Sequence, residues 1–377
     1  MWRLFLSIIL FLFSLLVLFR APTNFLWRVS VAITEFPQLF FGASLLFFIL
    51  CFWSVNYKTP VLIIAGLTTI LYLLPIIQAY KRGNHLTEEL AISFPIKNGP
   101  TFLQSPFSFF NLFSGIGIKT ISPQIFTYKT LPEKKLNIDF YPSTTTSKSP
   151  CVIVIHGGSW REGDSKQLPA LNSYLANKGY HVAAINYRLA PKYKSPAPVE
   201  DVQDVINYLT TNAQKLNIDT SNFVLIGRSA GGQIALCAAY TFNNKNIKGV
   251  VSFYAPADMV WGGKIKVNSW VLNTNKVFNE YLGGTIDEVP EKFKESSACE
   301  FVTKTSTPTL IIHGVHDAMV AYEHSVRLNK KLSQNNVQHY FLNLPCATHG
   351  CDFNISGPSG QLSTFAIERF INSVTTH

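Results

Sequence analysis

Two kinds of hydrophobic pattern divide the chain near residue 82. Three apolar stretches without a charged residue occupy 4–19, 36–57 and 59–80. The second and third stretches have 22 residues each, and a helix of that length crosses a hydrocarbon core of about 30 Å. We therefore predict an all-α transmembrane region at 1–82, with three helices at about 4–20, 37–56 and 60–80.

The first apolar stretch is shorter and also fits the core of a signal peptide. It is followed by Phe19-Arg20-Ala21-Pro22, which lacks the small-residue pattern of a cleavage site. This ending is typical of a helix that stops at a membrane interface. We therefore predict an uncleaved anchor.

Beyond residue 123, short apolar runs alternate with amphipathic stretches of helical period. The runs predict eight strands, at 124–129, 136–141, 151–155, 181–186, 223–226, 249–253, 309–312 and 339–344. The amphipathic stretches predict helices at 166–178, 199–215, 233–240, 322–333 and 359–373. This alternation indicates an α/β domain at 124–377, whose mostly parallel sheet is covered by helices on both faces. The strand at 136–141 is predicted to be an antiparallel edge strand.

A juxtamembrane linker is predicted at 83–123, between the two regions. Residues 100–118 are rich in phenylalanine and glycine and carry no charge. This composition fits a segment lying in the membrane interface and, equally, a buried linker.

Charge predicts a topology and excludes one class of partner. The net charge is +10, but the basic residues of the 124–377 domain are scattered, so we predict attraction to anionic lipid and no nucleic-acid partner. With three spans, four basic residues share the side of this domain and two lie opposite: Arg20, Arg28, Lys81 and Arg82 against Arg3 and Lys58. Positive-inside counting then places the domain in the cytoplasm.

Six cysteines in 377 residues do not indicate a disulfide framework. Cys346 and Cys351 could pair with each other, but a disulfide would imply an oxidising compartment and contradict the charge count. Two free thiols are the favoured interpretation.

Residues 227–232 read Gly-Arg-Ser-Ala-Gly-Gly, directly after the run 223–226 and before a helix-forming stretch. A serine at the tip of a tight strand-to-helix turn exposes its hydroxyl, and small residues on either side are needed because the backbone folds back on itself. The helix that follows would stabilise an oxyanion at its N-terminal amides. The alternative is a turn whose serine only caps the helix.

Three further segments favour a catalytic serine. The run 151–155 ends in His-Gly-Gly-Ser-Trp, where glycines let backbone amides approach a substrate carbonyl. The runs 309–312 and 339–344 lead to Asp317 and His349, an acid and a base. The chain order Ser229, Asp317, His349 is that of an α/β-hydrolase and differs from the orders of two protease classes built on other folds.

From about residue 124 the chain resembles the esterase/lipase branch of the α/β-hydrolase superfamily, similar to hormone-sensitive lipase and bacterial carboxylesterases. The resemblance rests on ordered motifs: HGGSW at 156–160, NYRLAP at 186–191, PAPVEDV at 196–202, GRSAGG at 227–232, YLGGT at 281–285, and the segments holding Asp317 and His349. The chain departs from the pattern at Ser159, where esterases closest to hormone-sensitive lipase usually have a third glycine. Ala230 replaces the tyrosine of prolyl-peptidase-like relatives, which disfavours a peptidase.

These residues predict two-step acyl transfer to water. Ser229 would be the nucleophile and His349 its general base, because histidine suits proton transfer near neutral pH. Asp317 would hold the imidazole in the required tautomer and stabilise the imidazolium.

The oxyanion hole is predicted at the amides of Gly158, Ser159 and Ala230, each worth roughly 3 to 4 kcal/mol of transition-state stabilisation. His156 is expected to brace the turn into this loop rather than to act in catalysis.

Other titratable residues compete for these roles. His313 and His316 lie close to Asp317 in sequence, but no carboxylate or cysteine cluster accompanies them at metal-ligand spacing, so no metal or other cofactor is predicted. Asp258 and Asp352 are rival acids. Asp317 is preferred because it follows a strand that, in this fold, delivers the acid to the carboxyl edge of the sheet.

The resemblance also implies a cap-like insertion at about 256–298. Its apolar side chains would either line an acyl pocket or pack the insertion onto the core. The residues concerned are Trp261, Trp270, Phe278, Tyr281 and Leu282.

The leading hypothesis is an integral, multi-pass membrane serine hydrolase that cleaves a small-molecule or lipid ester through an acyl-enzyme. The alternatives are a noncatalytic membrane scaffold on a hydrolase shell and, less favoured, a prolyl-peptidase-like peptidase. The complete Ser229, Asp317 and His349 set argues against the scaffold, and the missing elbow tyrosine argues against the peptidase. Acyl-chain length, the alcohol half of the substrate and oligomeric state are left open.

Overall fold

The computed structural model describes residues 1–53, 56–95 and 105–375. One sheet contains the strands β1 Gln124–Thr130, β2 Lys135–Tyr141, β3 Ser149–Ile155, β4 His181–Ile185, β5 Ile218–Arg228, β6 Ile247–Phe253, β7 Thr309–Gly314 and β8 His339–Leu344. The helices are α1 Trp2–Ser14, α2 Asn24–Glu35, α3 Pro37–Leu50, α4 Lys58–Ser93, α5 Asn111–Ser114, α6 Pro169–Asn177, α7 Ala197–Thr211, α8 Ala213–Leu216, α9 Ala230–Thr241, α10 Met259–Gly262, α11 Thr274–Leu282, α12 Pro290–Glu295, α13 Glu323–Gln334 and α14 Pro358–Val374.

The sheet confirms the predicted α/β fold, with all eight strands at the predicted places. Its order is β1-β2-β4-β3-β5-β6-β7-β8, and β3 to β8 run parallel. The strands β3 and β4 are buried along their whole length, as continuous apolar runs in a parallel sheet require.

The edge of the sheet differs from the prediction. β2 is antiparallel, but it pairs with both β1 and β4, so it is not an edge strand. β1 forms the edge, and its side chains are exposed or half-buried. The prediction of an edge strand was wrong because alternating polar and apolar residues indicate only that one face of a strand is exposed. They do not indicate whether another strand pairs with it on each side.

Helices cover both faces of the sheet, and one of them comes from the N-terminal region. α7 and α9 pack on one face, together with residues of the insertion. α6 and α14 pack on the other face, joined by Leu86 and Leu90 of the last turns of α4 and by Phe94 directly after it. The helix predicted to end at residue 80 therefore continues to Ser93 and enters the core of the α/β domain.

Much of the predicted linker at 83–123 belongs to α4 or to the core of the α/β domain and does not form a separate segment. Its first residues belong to α4, and Phe107 and Leu112 are buried in the same core layer. Phe110 and Phe113 of this segment are exposed. Residues 96–104 of the predicted linker lie outside the described residues.

In the described part of the chain, one helix is long and apolar enough to cross a membrane, α4. α2 and α3 reach that length only as a pair, which is bent by 87°, and α1 with the 3-10 turn Leu15–Val17 is shorter. The prediction of three spans is therefore reduced, among the described residues, to one such helix, or two if the bent pair counts as one span, and the shorter apolar helix α1. Pro37 starts α3 and cannot continue the hydrogen-bonding of α2. Residues 54–55 of the second predicted span lie outside the described residues.

Candidate active site

The strand-to-helix turn at Ser229 requires its glycines. β5 ends at Arg228 and α9 begins at Ala230, leaving Ser229 with φ 52° and ψ −119°. A Cβ on Gly227 would lie 2.1 Å from Gly231 O, and one on Gly231 would lie 2.3 Å from the carbonyl oxygen of Ile155. Only glycine fits at either position, so the turn can hold Ser229 at the carboxyl edge of the sheet.

Asp317 and His349 meet at the same edge. Asp317 follows β7 and His349 follows β8, and His349 Nδ1 lies 2.7 Å from Asp317 Oδ2. Because the carboxylate can only accept, the imidazole carries its proton on Nδ1 and leaves the Nε2 lone pair available as a base. Both side chains are buried, Asp317 at 1 % and His349 at 7 % exposed.

The Asp317 carboxylate is held ionised by four donors. Its Oδ1 accepts the amides of Met319 and Val320, each at 2.8 Å, and its Oδ2 contacts His313 Nε2 at 3.1 Å as well as His349. Burial alone would raise the pKa of Asp317, but the charge of His349 and the hydrogen bonds from both histidines outweigh burial and lower that pKa well below its usual value.

Ser229 and His349 are not hydrogen-bonded to each other among the described residues. Two adjacent residues lie next to Ser229 and His349. The ring of Tyr254 lies 4.4 Å from that of His349, and the carbonyl oxygen of Phe253 accepts a hydrogen bond from the Ser229 amide at 2.9 Å. In enzymes without substrate such catalytic contacts are often long and shorten only in the reactive complex.

The glycine loop after β3 lies directly beside the serine. A Cβ on Gly157 would come within 3.3 Å of Ser229 Cβ, and the Gly157 amide is already bound to Gln167 Oε1 at 2.8 Å. The amides of Gly158 and Ser159 make no backbone hydrogen bond among the described residues. Ala230 is the first residue of α9, where the amide has no partner within the helix. These amides are available to an oxyanion.

The two rival acids have other partners. Asp258 caps α10 through the Trp261 amide at 2.9 Å and binds Arg327 Nε at 2.6 Å. Asp352 accepts from Arg228 Nε and, at 2.5 Å, from Tyr254 Oη. Neither carboxylate contacts His349, so the geometry favours Asp317.

The three other histidines considered from the sequence lie in structural positions. His156 is buried, stacks on Tyr187 with ring centroids 4.2 Å apart, and has its pKa lowered by burial to about 4. His313 has both ring nitrogens occupied, Nδ1 by the Ser325 hydroxyl at 2.7 Å. His316 is half-buried at the start of the Asp317 turn.

A pocket opens at Ser229, but only part of the insertion lines it. Its volume is about 490 Å³ including the open mouth. Phe278 lines it, whereas Trp261 packs on His324, Tyr281 stacks on Trp160, and Trp270 is exposed. The pocket is lined by Ser159, Trp160, Ser229, Ala230, Pro256, Gly262, Ile265, Val267, Leu272, Thr274, Val277, Phe278, Met319, Val320, Ala321 and His324.

Sequence reasoning missed two residues that contact His349. Tyr254 follows β6, and the apolar run of that strand offered a signal for its place at the sheet edge. Trp27 lies 322 positions before His349 and binds its carbonyl oxygen. No local pattern indicates such a contact.

Several curated relatives of the chain are esterases. The esterase LipC of Mycobacterium tuberculosis is 28% identical over 257 residues, 64% of this chain and 63% of LipC. The isoprenylcysteine α-carbonyl methylesterase of Arabidopsis thaliana is 31% identical over 150 residues, 40% of this chain and 33% of that protein. The chain therefore spans less than two thirds of the length of these relatives.

Solved structures share the fold. A bacterial heroin esterase superposes with a TM-score of 0.58 at 18% identity, over 68% of this chain and 85% of that one. A truncated carbohydrate esterase from gut microbiota gives a TM-score of 0.55 at 23% identity, over 67% and 97%. At these identities the structures show a common α/β-hydrolase fold.

A family model, BD-FAE, matches residues 137–332, more than half of the chain. The match runs from β2 through the elbow at Ser229 to α13, so it covers the strands that carry the serine and the acid. By sequence and by fold, this chain belongs to the BD-FAE family of α/β-hydrolases.

Proposed function

We propose that the protein is a carboxylic ester hydrolase in which Ser229, His349 and Asp317 form the catalytic triad. The observation that carries this proposal is the 2.7 Å contact between His349 Nδ1 and Asp317 Oδ2 at the sheet edge that also holds the elbow. The esterase relatives support ester bonds as the target.

In the first step, Ser229 Oγ attacks the ester carbonyl carbon while His349 Nε2 accepts the hydroxyl proton. The carbonyl electron pair moves to oxygen, where the amides of Gly158, Ser159 and Ala230 donate hydrogen bonds to it. The imidazolium then protonates the alcohol oxygen as the carbon–oxygen bond breaks. The alcohol leaves and the acyl group remains on Ser229.

In the second step, water attacks the acyl-enzyme and His349 takes its proton. The intermediate collapses to the carboxylic acid as the proton returns to Ser229 Oγ. Asp317 stays ionised throughout and stabilises the imidazolium in both steps, which agrees with its lowered pKa.

The acyl group is proposed to occupy the pocket at Ser229. Leu272, Val277 and Phe278 of the insertion give it an apolar wall, the kind of lining that is usual in small-molecule sites. His324 on the wall is uncharged, since burial lowers its pKa to about 3. The pocket therefore suits an uncharged acyl chain.

The first part of α4 is proposed to insert into a lipid bilayer, with α1 and α3 beside it. Exposed apolar side chains support this: Phe5, Ile8 and Leu12 on α1, Leu39, Leu46 and Ile49 on α3, and Ile63, Leu67 and Ile70 on α4. Charge counting favours the cytoplasmic side for the hydrolase. Retention of the protein in membranes after an alkaline carbonate wash would support insertion, and its release would overturn it.

Hydrolysis of p-nitrophenyl esters from acetate to palmitate, by the full-length protein in detergent, tests the activity. We expect turnover that disappears in Ser229→Ala and persists in Ser333→Ala, a control at an exposed serine on α13. A fluorophosphonate should label the wild type at Ser229. Absence of both hydrolysis and labelling would overturn the proposal.

A further inference from the structure

Helix α2 lies against the loop that carries His349. Trp27 Nε1 donates to the carbonyl oxygen of His349 at 2.9 Å, and the two rings lie 6.4 Å apart. A Cβ on Gly350 would touch Trp27 and Val31, each at 4.0 Å. One face of α2 therefore covers residues 349 and 350.

The same helix is fixed to the hydrolase at its C-terminal end. Asn354 Nδ2 donates to the Glu35 carbonyl oxygen at 2.8 Å, and the Ser359 amide, in the first turn of α14, donates to Glu35 Oε2 at 3.3 Å. These contacts join the C-terminal end of α2 to the part of the His349 loop that leads into α14.

The N-terminal end of α2 is fixed to the insertion. The Asn24 amide donates to Trp270 O at 3.0 Å, and Asn268 Nδ2 donates to Pro22 O at 2.8 Å. Trp27 thus sits on a helix held at both ends, which gives its indole a defined position.

The His349 loop has little regular structure of its own. Between the end of β8 at Leu344 and the start of α14 at Pro358, it forms only turns and bends. A catalytic imidazole has to be held within about 0.5 Å of its productive position by neighbouring groups. Trp27 supplies such a restraint through the backbone of the histidine itself.

We propose that Trp27 is a positioning residue for His349, and this rests on the proposed ester hydrolysis. Its indole N–H holds the His349 carbonyl, which keeps the imidazole directed between Asp317 and the serine. Because α2 leads into α3 at Phe36, the contacts of α2 link the apolar N-terminal helices to the loop that carries His349.

The test compares full-length Trp27→Phe with wild type. Phenylalanine keeps an aromatic ring on α2 and removes the donor. Trp2→Phe, at an exposed tryptophan on α1, is the matched control. Active enzyme is counted by fluorophosphonate titration, and kcat and KM are measured per labelled site with p-nitrophenyl butyrate.

We expect kcat per labelled site to fall about three- to tenfold in Trp27→Phe, the effect of one hydrogen bond, with KM within twofold of wild type. A merely structural role would lower the number of labelled sites and leave kcat per site unchanged. That result, or values equal to those of Trp2→Phe, would overturn the positioning role alone. A wild type that neither hydrolyses esters nor reacts with the fluorophosphonate would overturn the proposed function together with it.

Discussion

Arg228 and Asp352 form a buried ion pair that joins the serine elbow to the histidine loop. Arg228 directly precedes Ser229, Asp352 follows His349 by three residues, and both side chains are largely or fully buried. Nη1 and Nη2 of Arg228 have no hydrogen-bond partner among the described residues. The carboxylate of Asp352 therefore neutralises the buried guanidinium charge of Arg228.

Substitution Asp352→Asn would leave the Arg228 charge buried without a counter-ion. We expect the free energy of unfolding to fall by about 3 kcal/mol, measured by urea denaturation of the detergent-solubilised protein. Glu295→Gln, which breaks the exposed pair with Lys292, is the control and should cost less than about 1 kcal/mol. Equal effects of the two substitutions would contradict a structural role for the buried pair.

Substitution Asp317→Asn removes the charge that we propose orients His349 and stabilises its protonated form. Judged by the corresponding change in another triad enzyme, we expect kcat to fall by about 10⁴ with a small change in KM. Asp258→Asn is the control, because an asparagine still caps α10 and does not contact His349. Steady-state kinetics on a p-nitrophenyl ester distinguish the two. A greater loss in Asp258→Asn would show that the acid is misassigned.

Substitution Gly158→Ala tests the proposed oxyanion loop. Gly158 has φ +121°, and a Cβ there would lie 2.0 Å from Glu162 O, so the loop must move. Loss of one oxyanion donor lowers kcat by roughly 10² to 10³. Gly117→Ala provides the control, since its φ of +72° carries similar strain but nothing lies within 4 Å. A normal kcat for Gly158→Ala would exclude this loop from the reaction.

Glu35 makes stability depend on pH. Burial raises the pKa of its carboxyl from 4.5 to about 8, so between these values the folded protein holds a proton that the unfolded chain releases. Stability from this group is complete below pH 4.5 and is lost as pH rises toward 8, by up to about 1.4 kcal/mol per pH unit.

Glu35→Gln keeps an acceptor for the Ser359 amide and carries no titrating proton. We expect the variant to be more stable than wild type at pH 8 and to lose this advantage toward pH 5, in thermal unfolding curves. His156 and His324, whose lowered pKa values act in the opposite direction, are common to both proteins and cancel in the difference. A difference independent of pH would show that Glu35 is ionised in the folded state.

The strands and the elbow follow from short-range sequence patterns. A parallel strand buried on both faces has to be apolar along its length, so β3 to β7 are visible as apolar runs. The turn at Ser229 needs glycine at 227 and 231 because any Cβ there would overlap the backbone. Asp317 could be selected because it follows one of these strands and His349 because it follows the apolar run of β8, and parallel strands carry their ends to one edge of the sheet.

The N-terminal region shows where local patterns fail. Its apolar runs predict helices, and helices are present. An uncharged apolar helix, however, can be surrounded either by lipid or by other parts of the protein, and the sequence pattern is the same in both cases. The last turns of α4 lie in the hydrolase core, and α2 lies on the histidine loop.

The sequence by itself therefore determined the α/β-hydrolase fold, the order of its strands along the chain and the three residues proposed for the triad. Tertiary structure alone decided that β1 is the edge, that Phe278 lines the pocket, and that Trp27 and Asp352 connect the histidine loop to α2 and to the serine elbow. The reason is physical: period and turn chemistry act over a few residues, whereas these contacts join segments up to 322 positions apart and exist only once the chain has packed.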